Sequence, residues 1–230
     1  MKILQFLLFV FVASFGVLAG AEQIRKPRIT DTIKANIYAD NSFKLYINGT
    51  LIAVDSIAFM PHNVISVDIL PSYPMTIAVM AMDNADPVTG LEYGNTSIGD
   101  GGFILKLGDG TVTNSRWKVK KISWGPIDRD IKKPRTKHMT VPEKWFTSNF
   151  DDRGWVQATE FTQQHVRPKA PFFDYDFKGA SFIWSDDLEL DNIVLFRRKI
   201  TKAPDGLDRP NFTGLSDQVP SKGKRQKKRK

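Results

Sequence analysis

Short apolar segments that alternate with polar residues, separated by turn-forming residues, dominate the chain from Ile37 to Leu107. A period of two places successive side chains on opposite faces of a strand, whereas a helix requires apolar residues three and four positions apart. Phe43, Leu45 and Ile47 are therefore predicted on one face of a strand, with the residues between them on the other. This pattern favours a fold built from strands.

The dipeptide Asn48-Gly49 follows this strand and supplies two positive-φ positions, which predicts a hairpin into residues 51–54. Met75 to Met82 is apolar on both faces, as expected of a strand in the middle of a sandwich. Turn formers bound the other apolar runs, and we predict further strands at 64–69, 103–107, 117–121 and 192–200. The fold class is thus all-β, a β-sandwich of two packed sheets.

The connections are predicted from the stretches without periodicity. Asp83 to Asp100 reads as a long loop, and residues 125–142, rich in Pro, Lys, Arg and Asp, read as an extended surface crossing. One helical turn is expected near Glu143 to Phe146, and order is expected to fade by about Lys202.

The first residues have the three regions of a secretory signal peptide: Met1-Lys2, an apolar run from Ile3 to Leu18, and the small-residue triplet Ala19-Gly20-Ala21. Cleavage after Ala21 predicts a secreted, extracellular protein with no transmembrane span, the alternative being an uncleaved signal anchor. The predicted organisation has four parts: a signal peptide at 1–21, a lead-in at 22–34, a single sandwich domain at 35–202 and a disordered basic tail at 203–230.

The chain has no cysteine, so the exported domain must be held by burial and strand pairing rather than by disulfides. Thiol catalysis and cysteine-ligated zinc are excluded for the same reason. Three Asn-x-Ser/Thr sequons offer glycosylation sites in a eukaryotic secretory pathway, at Asn48, Asn95 and Asn211.

Charge is concentrated at one end of the chain. The formal net charge is +8, and Lys2 together with seven tail cations accounts for all of it, so the body is nearly neutral. The seven are Lys222, Lys224, Arg225, Lys227, Lys228, Arg229 and Lys230. Such a tail could hold anionic polymers such as acidic polysaccharides, or simply be solvated, and it does not indicate a specific nucleic-acid-binding surface.

Three segments carry a more specific pattern than alternation alone: ADNSFKLYING at 39–49, FDDRGW at 150–155, and FIWS at 182–185 followed by VLFRR at 194–198. In this order, and with GGFILKL at 101–107, the chain resembles the galactose-binding-like jelly-roll modules attached to α-L-rhamnosidases and β-galactosidase-related glycoside hydrolases. The resemblance covers most of residues 35 to 200 and implies a non-catalytic accessory module. Trp155 and Trp184 are expected to be buried fold determinants rather than ligand contacts.

No catalytic residues are predicted. A glycosidase needs two carboxyl groups facing each other across the scissile bond, whereas Asp151-Asp152 and Asp186-Asp187 are adjacent pairs in predicted turns. The three histidines, His62, His138 and His165, lie far apart with no metal-binding spacing. A small secreted hydrolase nevertheless stays open as an alternative.

No cofactor or metal is predicted. Asp83-Asn84-Ala85-Asp86 could offer oxygen atoms to calcium, but the residues after it do not restore an EF-hand spacing, and a solvated turn is favoured.

A carbohydrate ligand is the leading functional expectation. Sugar sites place an aromatic face against the pyranose ring and flank it with polar side chains, and Tyr93, Asn95 and Trp124 lie in predicted loops where they could do this. The expected partner is a glycan or extracellular polysaccharide. The alternatives are packing of Trp124 against a sheet edge and a protein-interaction module that binds no sugar.

Overall fold

The computed structural model describes residues 26–55 and 64–212, and these residues form a β-sandwich of two antiparallel sheets. The predicted signal peptide, His62 and the predicted tail cations lie outside the described residues. Within the described ranges no helix is long and apolar enough to cross a membrane.

One sheet, in the described residues, has five strands in the spatial order β12-β13-β8-β1-β4. Their bounds are β1 Ile33–Asp40, β4 Ile65–Ile69, β8 Gly102–Leu107, β12 Thr159–Phe161 and β13 Phe182–Trp184. All neighbouring strands in this sheet pair antiparallel.

The other sheet has the spatial order β10-β9-β14-β5-β2-β3, with β11 pairing at one end of β9. Its strands are β2 Ser42–Ile47, β3 Thr50–Val54, β5 Met75–Met82, β9 Lys118–Trp124, β10 Lys137–His138, β11 Val156–Gln157 and β14 Asp191–Ile200. The last strand in the described residues, β14, thus lies in the interior of this sheet, between β9 and β5.

The core forms where the inner faces of the two sheets meet. Phe103 of the first sheet stacks on Phe196 of the second, with ring centroids 5.4 Å apart, and neither ring is exposed. Trp184 is also fully buried, and its indole N–H donates a 2.8 Å hydrogen bond to the Asp191 carbonyl. Burial of such large apolar side chains is the main favourable term in folding a chain without disulfides.

The predicted hairpin at Asn48-Gly49 is confirmed. It joins β2 to β3, and both residues have positive φ, 48° and 86°. The alternation before it is confirmed as well, because Phe43, Leu45 and Ile47 are buried while Lys44 is exposed.

The segment 150–155 packs on the outer face of the second sheet, where it contributes to a second, smaller apolar cluster. Trp155 is buried there beside Phe150, with ring centroids 5.7 Å apart, and Trp145 packs in the same cluster. Trp155 and Trp184 are therefore both buried, as the sequence predicts.

The connections differ from expectation in three places. Residues 143–146 form turns rather than a helical turn, because Lys144 takes a φ of 54° that a right-handed helix does not allow. A four-residue helix, α1 Gln163–Val166, occurs instead in the connection from β12 to β13. The loop from Asp83 to Asp100 contains a small hairpin, β6 Leu91–Glu92 and β7 Ser97–Ile98.

Candidate functional site

An aromatic cleft of about 640 Å³ opens on the outer face of the first sheet. Its walls come from β12, α1 and a 3₁₀ turn at Ala170–Asp174, and its base from β8 and β13. Its volume lies within the range usual for small-molecule sites.

The floor of the cleft is a cluster of buried phenylalanines. Phe172 stacks on Phe177, with ring centroids 4.9 Å apart and an interplanar angle of 8°, and meets Phe182 at 5.3 Å. Tyr38 of β1 supports Phe172 and Phe182 from below through edge-on contacts at 5.8 and 5.9 Å. The floor is therefore fixed by packing on the sheet.

The rim, in contrast, presents aromatic rings to solvent. Phe173 is 61% exposed and Tyr175 is 41% exposed, although both belong to the same aromatic run as the buried Phe172 and Phe177. The mouth of the cleft therefore exposes apolar ring surface to water.

Polar groups flank these rings. Glu160 and Gln163 line one side of the cleft and Lys178 another, with hydroxyl groups of Thr162 and Ser181 nearby. The arrangement combines flat apolar surfaces with hydrogen-bond donors and acceptors.

Glu160 is held as a carboxylate. The Ser181 hydroxyl and then the backbone N–H of Ser115, at 2.6 Å, donate to the carboxylate and lower its pKa below the ordinary value. A carboxylate oriented in this way can accept hydrogen bonds from hydroxyl groups of a ligand.

No family model, curated protein or solved structure matches this chain. The chemistry of the side chains is therefore the basis for any functional inference.

Two of the three sugar-binding residues predicted from sequence lie on one turn. Tyr93, Gly94 and Asn95 connect β6 to β7, and all three have positive φ, at 50°, 69° and 66°. The Tyr93 ring is 70% exposed. The Asn95 amide oxygen accepts a 2.5 Å hydrogen bond from the Thr89 hydroxyl, which ties the turn to the preceding loop.

Trp124 is the last residue of β9. Its ring is partly buried beside the ammonium groups of Lys121 and Lys137, at 5.5 and 5.4 Å from the ring centroid. No ring contact joins Trp124 to Tyr93 in the part of the chain that the structure describes. The structure thus places Tyr93 and Asn95 together on one turn and shows Trp124 beside two lysine ammonium groups.

The sequon asparagines differ in how they are engaged. Asn48 is only partly exposed: its amide oxygen accepts from the Thr76 backbone N–H at 2.7 Å and its amide nitrogen donates to the Ser72 carbonyl at 3.0 Å. Asn95 and Asn211 are exposed. Attaching a glycan at Asn48 would disturb contacts that hold the hairpin.

The adjacent aspartates serve structural contacts. Asp151 pairs with Arg153 at 2.6 Å, whereas Asp152 pairs with the buried Arg197 at 2.8 Å. In the other pair, Asp186 pairs with Lys121 at 3.3 Å, and Asp187 accepts from the backbone N–H groups of Glu189 and Leu190 at 3.0 Å each. Neither pair presents two carboxylates to one opening.

A cluster of four carboxyl groups, Asp40, Asp83, Glu92 and Asp100, lies near the Tyr93 turn. Asp40 is 1% exposed and its Oδ1 has no hydrogen-bond partner. Burial, followed by the charge of Asp100, raises the pKa of Asp40 to about 8. Burial and a hydrogen bond with Glu92 likewise raise the pKa of Asp83 well above its ordinary value.

The structure gives little support for a calcium site in the adjoining segment, residues 83–86. Asp86, which the sequence offered as a ligand, accepts hydrogen bonds at Oδ1 from the backbone N–H groups of Val88 and Thr89, at 2.9 and 2.8 Å, and from the Thr89 hydroxyl. Asp83 is not in a solvated turn but points into the protein. Across residues 26–55 and 64–212, no three His, Cys, Asp or Glu side chains are grouped so as to hold a metal ion.

The residues of the cleft were not singled out by sequence reasoning. A signal was present in the aromatic-rich run Phe172-Phe173-Asp174-Tyr175-Asp176-Phe177, but the apolar pattern alone does not distinguish a buried ring from an exposed one. The carboxyl cluster left no local signal, because Asp83, Glu92 and Asp100 are spread along one loop and Asp40 comes from the end of β1.

Proposed function

We propose that this protein is a secreted, non-catalytic carbohydrate-binding module, of the galactose-binding-like jelly-roll type, that acts in adhesion or in an extracellular matrix. The observation that carries this proposal is the aromatic cleft, with Phe173 and Tyr175 exposed at its rim above a floor of packed phenylalanines. The ligand is a neutral oligosaccharide.

The chemistry of a pyranose explains the choice of ligand. One face of such a ring carries C–H groups that pack on an aromatic side chain, while its edge carries hydroxyl groups that need donors and acceptors. Phe173 and Tyr175 supply the flat surface. Glu160 and Gln163 supply acceptors and Lys178 supplies a donor.

The absence of a facing carboxylate pair in the described part of the cleft supports binding rather than hydrolysis. Glu160 is the acidic side chain among the described lining residues, and hydrolysis of a glycosidic bond requires two such groups across the bond. The adjacent aspartate pairs of the sequence are engaged elsewhere.

A glycan array followed by titration calorimetry with the best-bound neutral oligosaccharide tests the proposal. Phe173→Ala and Tyr175→Ala should each weaken binding at least tenfold while leaving the thermal midpoint unchanged, because both rings are exposed. Tyr93→Ala is the matched control: it removes a ring that is 70% exposed on a different turn, and it should leave the affinity unaltered.

Two outcomes would contradict the proposal. If no neutral glycan binds the intact protein, the carbohydrate function is wrong. If Tyr93→Ala abolishes binding and Phe173→Ala does not, the sugar is bound at the Tyr93 turn and the cleft has another role.

A further inference from the structure

Four residues with cationic side chains line a second cleft, of about 260 Å³, at the end of the sandwich where β14 ends. They are Arg116 from the connection between β8 and β9, Arg198 and Lys199 from β14, and Lys202 just after it. We propose that this basic cleft binds the sulfate groups of an acidic polysaccharide.

The cations are not neutralised by the protein. Among the described residues that line the basic cleft there is no Asp or Glu, and no ion pair joins any of the four cations to a described carboxylate. Arg197, the neighbour of Arg198, differs from these four cations because it forms an ion pair with Asp152. Four like charges held together without counter-charges destabilise the free protein and favour an anion that neutralises them.

The geometry is fixed by the surrounding structure rather than by the charges themselves. Arg198 Nη1 donates a 2.8 Å hydrogen bond to the Arg116 carbonyl, which joins the two walls of the cleft. The turn that carries Arg116 is anchored by the fully buried Trp117, whose indole N–H donates to the Val112 carbonyl at 2.9 Å. Because these contacts hold the Arg198 guanidinium and the backbone of Arg116 in advance, a bound anion would have less ordering cost to overcome at Arg198.

Arg198 differs from the exposed cations of the cleft because it is partly buried. Burial, and secondarily the nearby Arg116, lowers the pKa of Arg198 below its ordinary value, although a guanidinium stays charged at any physiological pH. A half-buried cation is screened less by salt than an exposed one, so Arg198 should provide the part of the affinity that survives at physiological ionic strength.

The lining favours a sulfated sugar over a lipid headgroup. Asn114 and Thr201 contribute an amide and a hydroxyl group to the lining beside the cationic residues, which suits a hydroxylated polymer. This site shares no lining residue with the aromatic cleft, so the inference does not rest on the proposed function.

The experiment uses the full chain and a fully sulfated heparin hexasaccharide. Binding is measured at 0.15 M NaCl for the wild type, for Arg116→Gln/Lys202→Gln and for Arg198→Gln, and amide chemical shifts are followed by NMR during the titration. Lys44→Gln/Lys34→Gln is the charge-matched control, since both lysines are exposed and neither lines the basic cleft.

Arg116→Gln/Lys202→Gln should weaken binding at least tenfold more than the control, since it removes two of the four cations that line the cleft. Shift changes should include the amides of Arg116 and of residues 198–202. If Arg198→Gln fails to fold, the hexasaccharide affinity of Arg116→Gln/Lys202→Gln still tests the proposal, because both of these side chains are exposed.

The inference is overturned if both double variants bind the hexasaccharide equally, or if the shift changes are confined to residues 222–230. It is also overturned if the cleft variant loses binding to vesicles of phosphatidylcholine with phosphatidylserine while its hexasaccharide affinity stays at the control value. In that case the anion is a lipid phosphate. Failure of neutral glycans to bind would leave all these outcomes unchanged, so the two proposals fail independently.

Discussion

Arg197, which is 3% exposed, donates a 2.8 Å hydrogen bond from Nε to Oδ2 of Asp152, forty-five residues earlier in the chain. Its guanidinium also donates from Nη1 to the Trp145 carbonyl and lies 5.1 Å from the centre of the Phe150 ring. One buried cation thereby fastens the segment 145–155 onto the middle of the second sheet.

The first prediction follows from this pair. Asp152→Ala should lower the free energy of unfolding by about 2 kcal/mol, because it leaves a buried guanidinium short of an acceptor. Asp151→Ala should leave stability unchanged, since its partner Arg153 is 90% exposed and such pairs contribute little. Urea unfolding of both variants is the measurement, and equal midpoints would contradict the structural role of Asp152.

The second prediction concerns pH. Because the folded-state pKa of Asp40 is raised from 3.8 to about 8, the folded protein holds a proton that the unfolded chain releases. The stabilising contribution of this proton is complete below pH 4 and is lost as the pH rises to about 8. Asp40→Asn keeps a neutral side chain at every pH, so its thermal midpoint should fall less steeply than that of the wild type between pH 5 and 9.

In Asp40→Asn, the fall of the thermal midpoint with rising pH should be reduced but not abolished, because the pKa of Asp83 is raised as well. Asp176→Asn serves as the control: the hydrogen bond from Lys106 lowers the pKa of Asp176, so its contribution changes only in acid. A wild-type slope in Asp40→Asn would show that Asp40 ionises normally.

The third prediction tests the hairpin between β2 and β3. Gly49→Val should destabilise the fold by about 1–2 kcal/mol or more, since a β-branched residue resists the φ of 86° at this position. Space is not the cause, because the nearest atoms to an added Cβ are 3.8 Å away, in Thr147. Gly154→Val is matched to it, as Gly154 has open surroundings and no positive φ, and only Gly49→Val should lower the thermal midpoint.

The fourth prediction concerns residues 222–230. Deleting them should lower the salt concentration at which the protein elutes from heparin, because seven cations are removed and their attraction is screened over about 8 Å near physiological ionic strength. The thermal midpoint should not change, since the segment has no apolar residue to bury. A lower midpoint in the truncated protein would mean that this segment packs on the sandwich.

The fold was largely accessible from the sequence because its signals are local. Alternation set the faces of β2, the apolar run of Met75–Met82 marked a central strand, and Asn48-Gly49 located the turn. The helical turn expected at 143–146 failed because the left-handed conformation of Lys144 depends on packing of the segment against the sheet rather than on local preference.

The sites were less accessible, because they arise from tertiary placement. Phe172 and Phe173 are adjacent and chemically identical, yet one is buried in the floor of the aromatic cleft and the other is 61% exposed at its rim. Arg197 and Arg198 are likewise adjacent, and only their opposite directions from β14 make one a structural ion-pair partner and the other a member of the basic cleft. No pattern in the sequence fixes such differences without the neighbouring strands.

The position of β14 also constrains how the chain can be made. Strand β5 needs β14 as a neighbour, as does β9, yet β14 begins only at Asp191. During synthesis the second sheet therefore cannot be completed until nearly the whole domain has left the ribosome, and one hydrogen-bonding edge of Met75–Met82 remains unpaired until then. A chain terminated before Asp191 would be a target for chaperones and proteases rather than a smaller version of the domain.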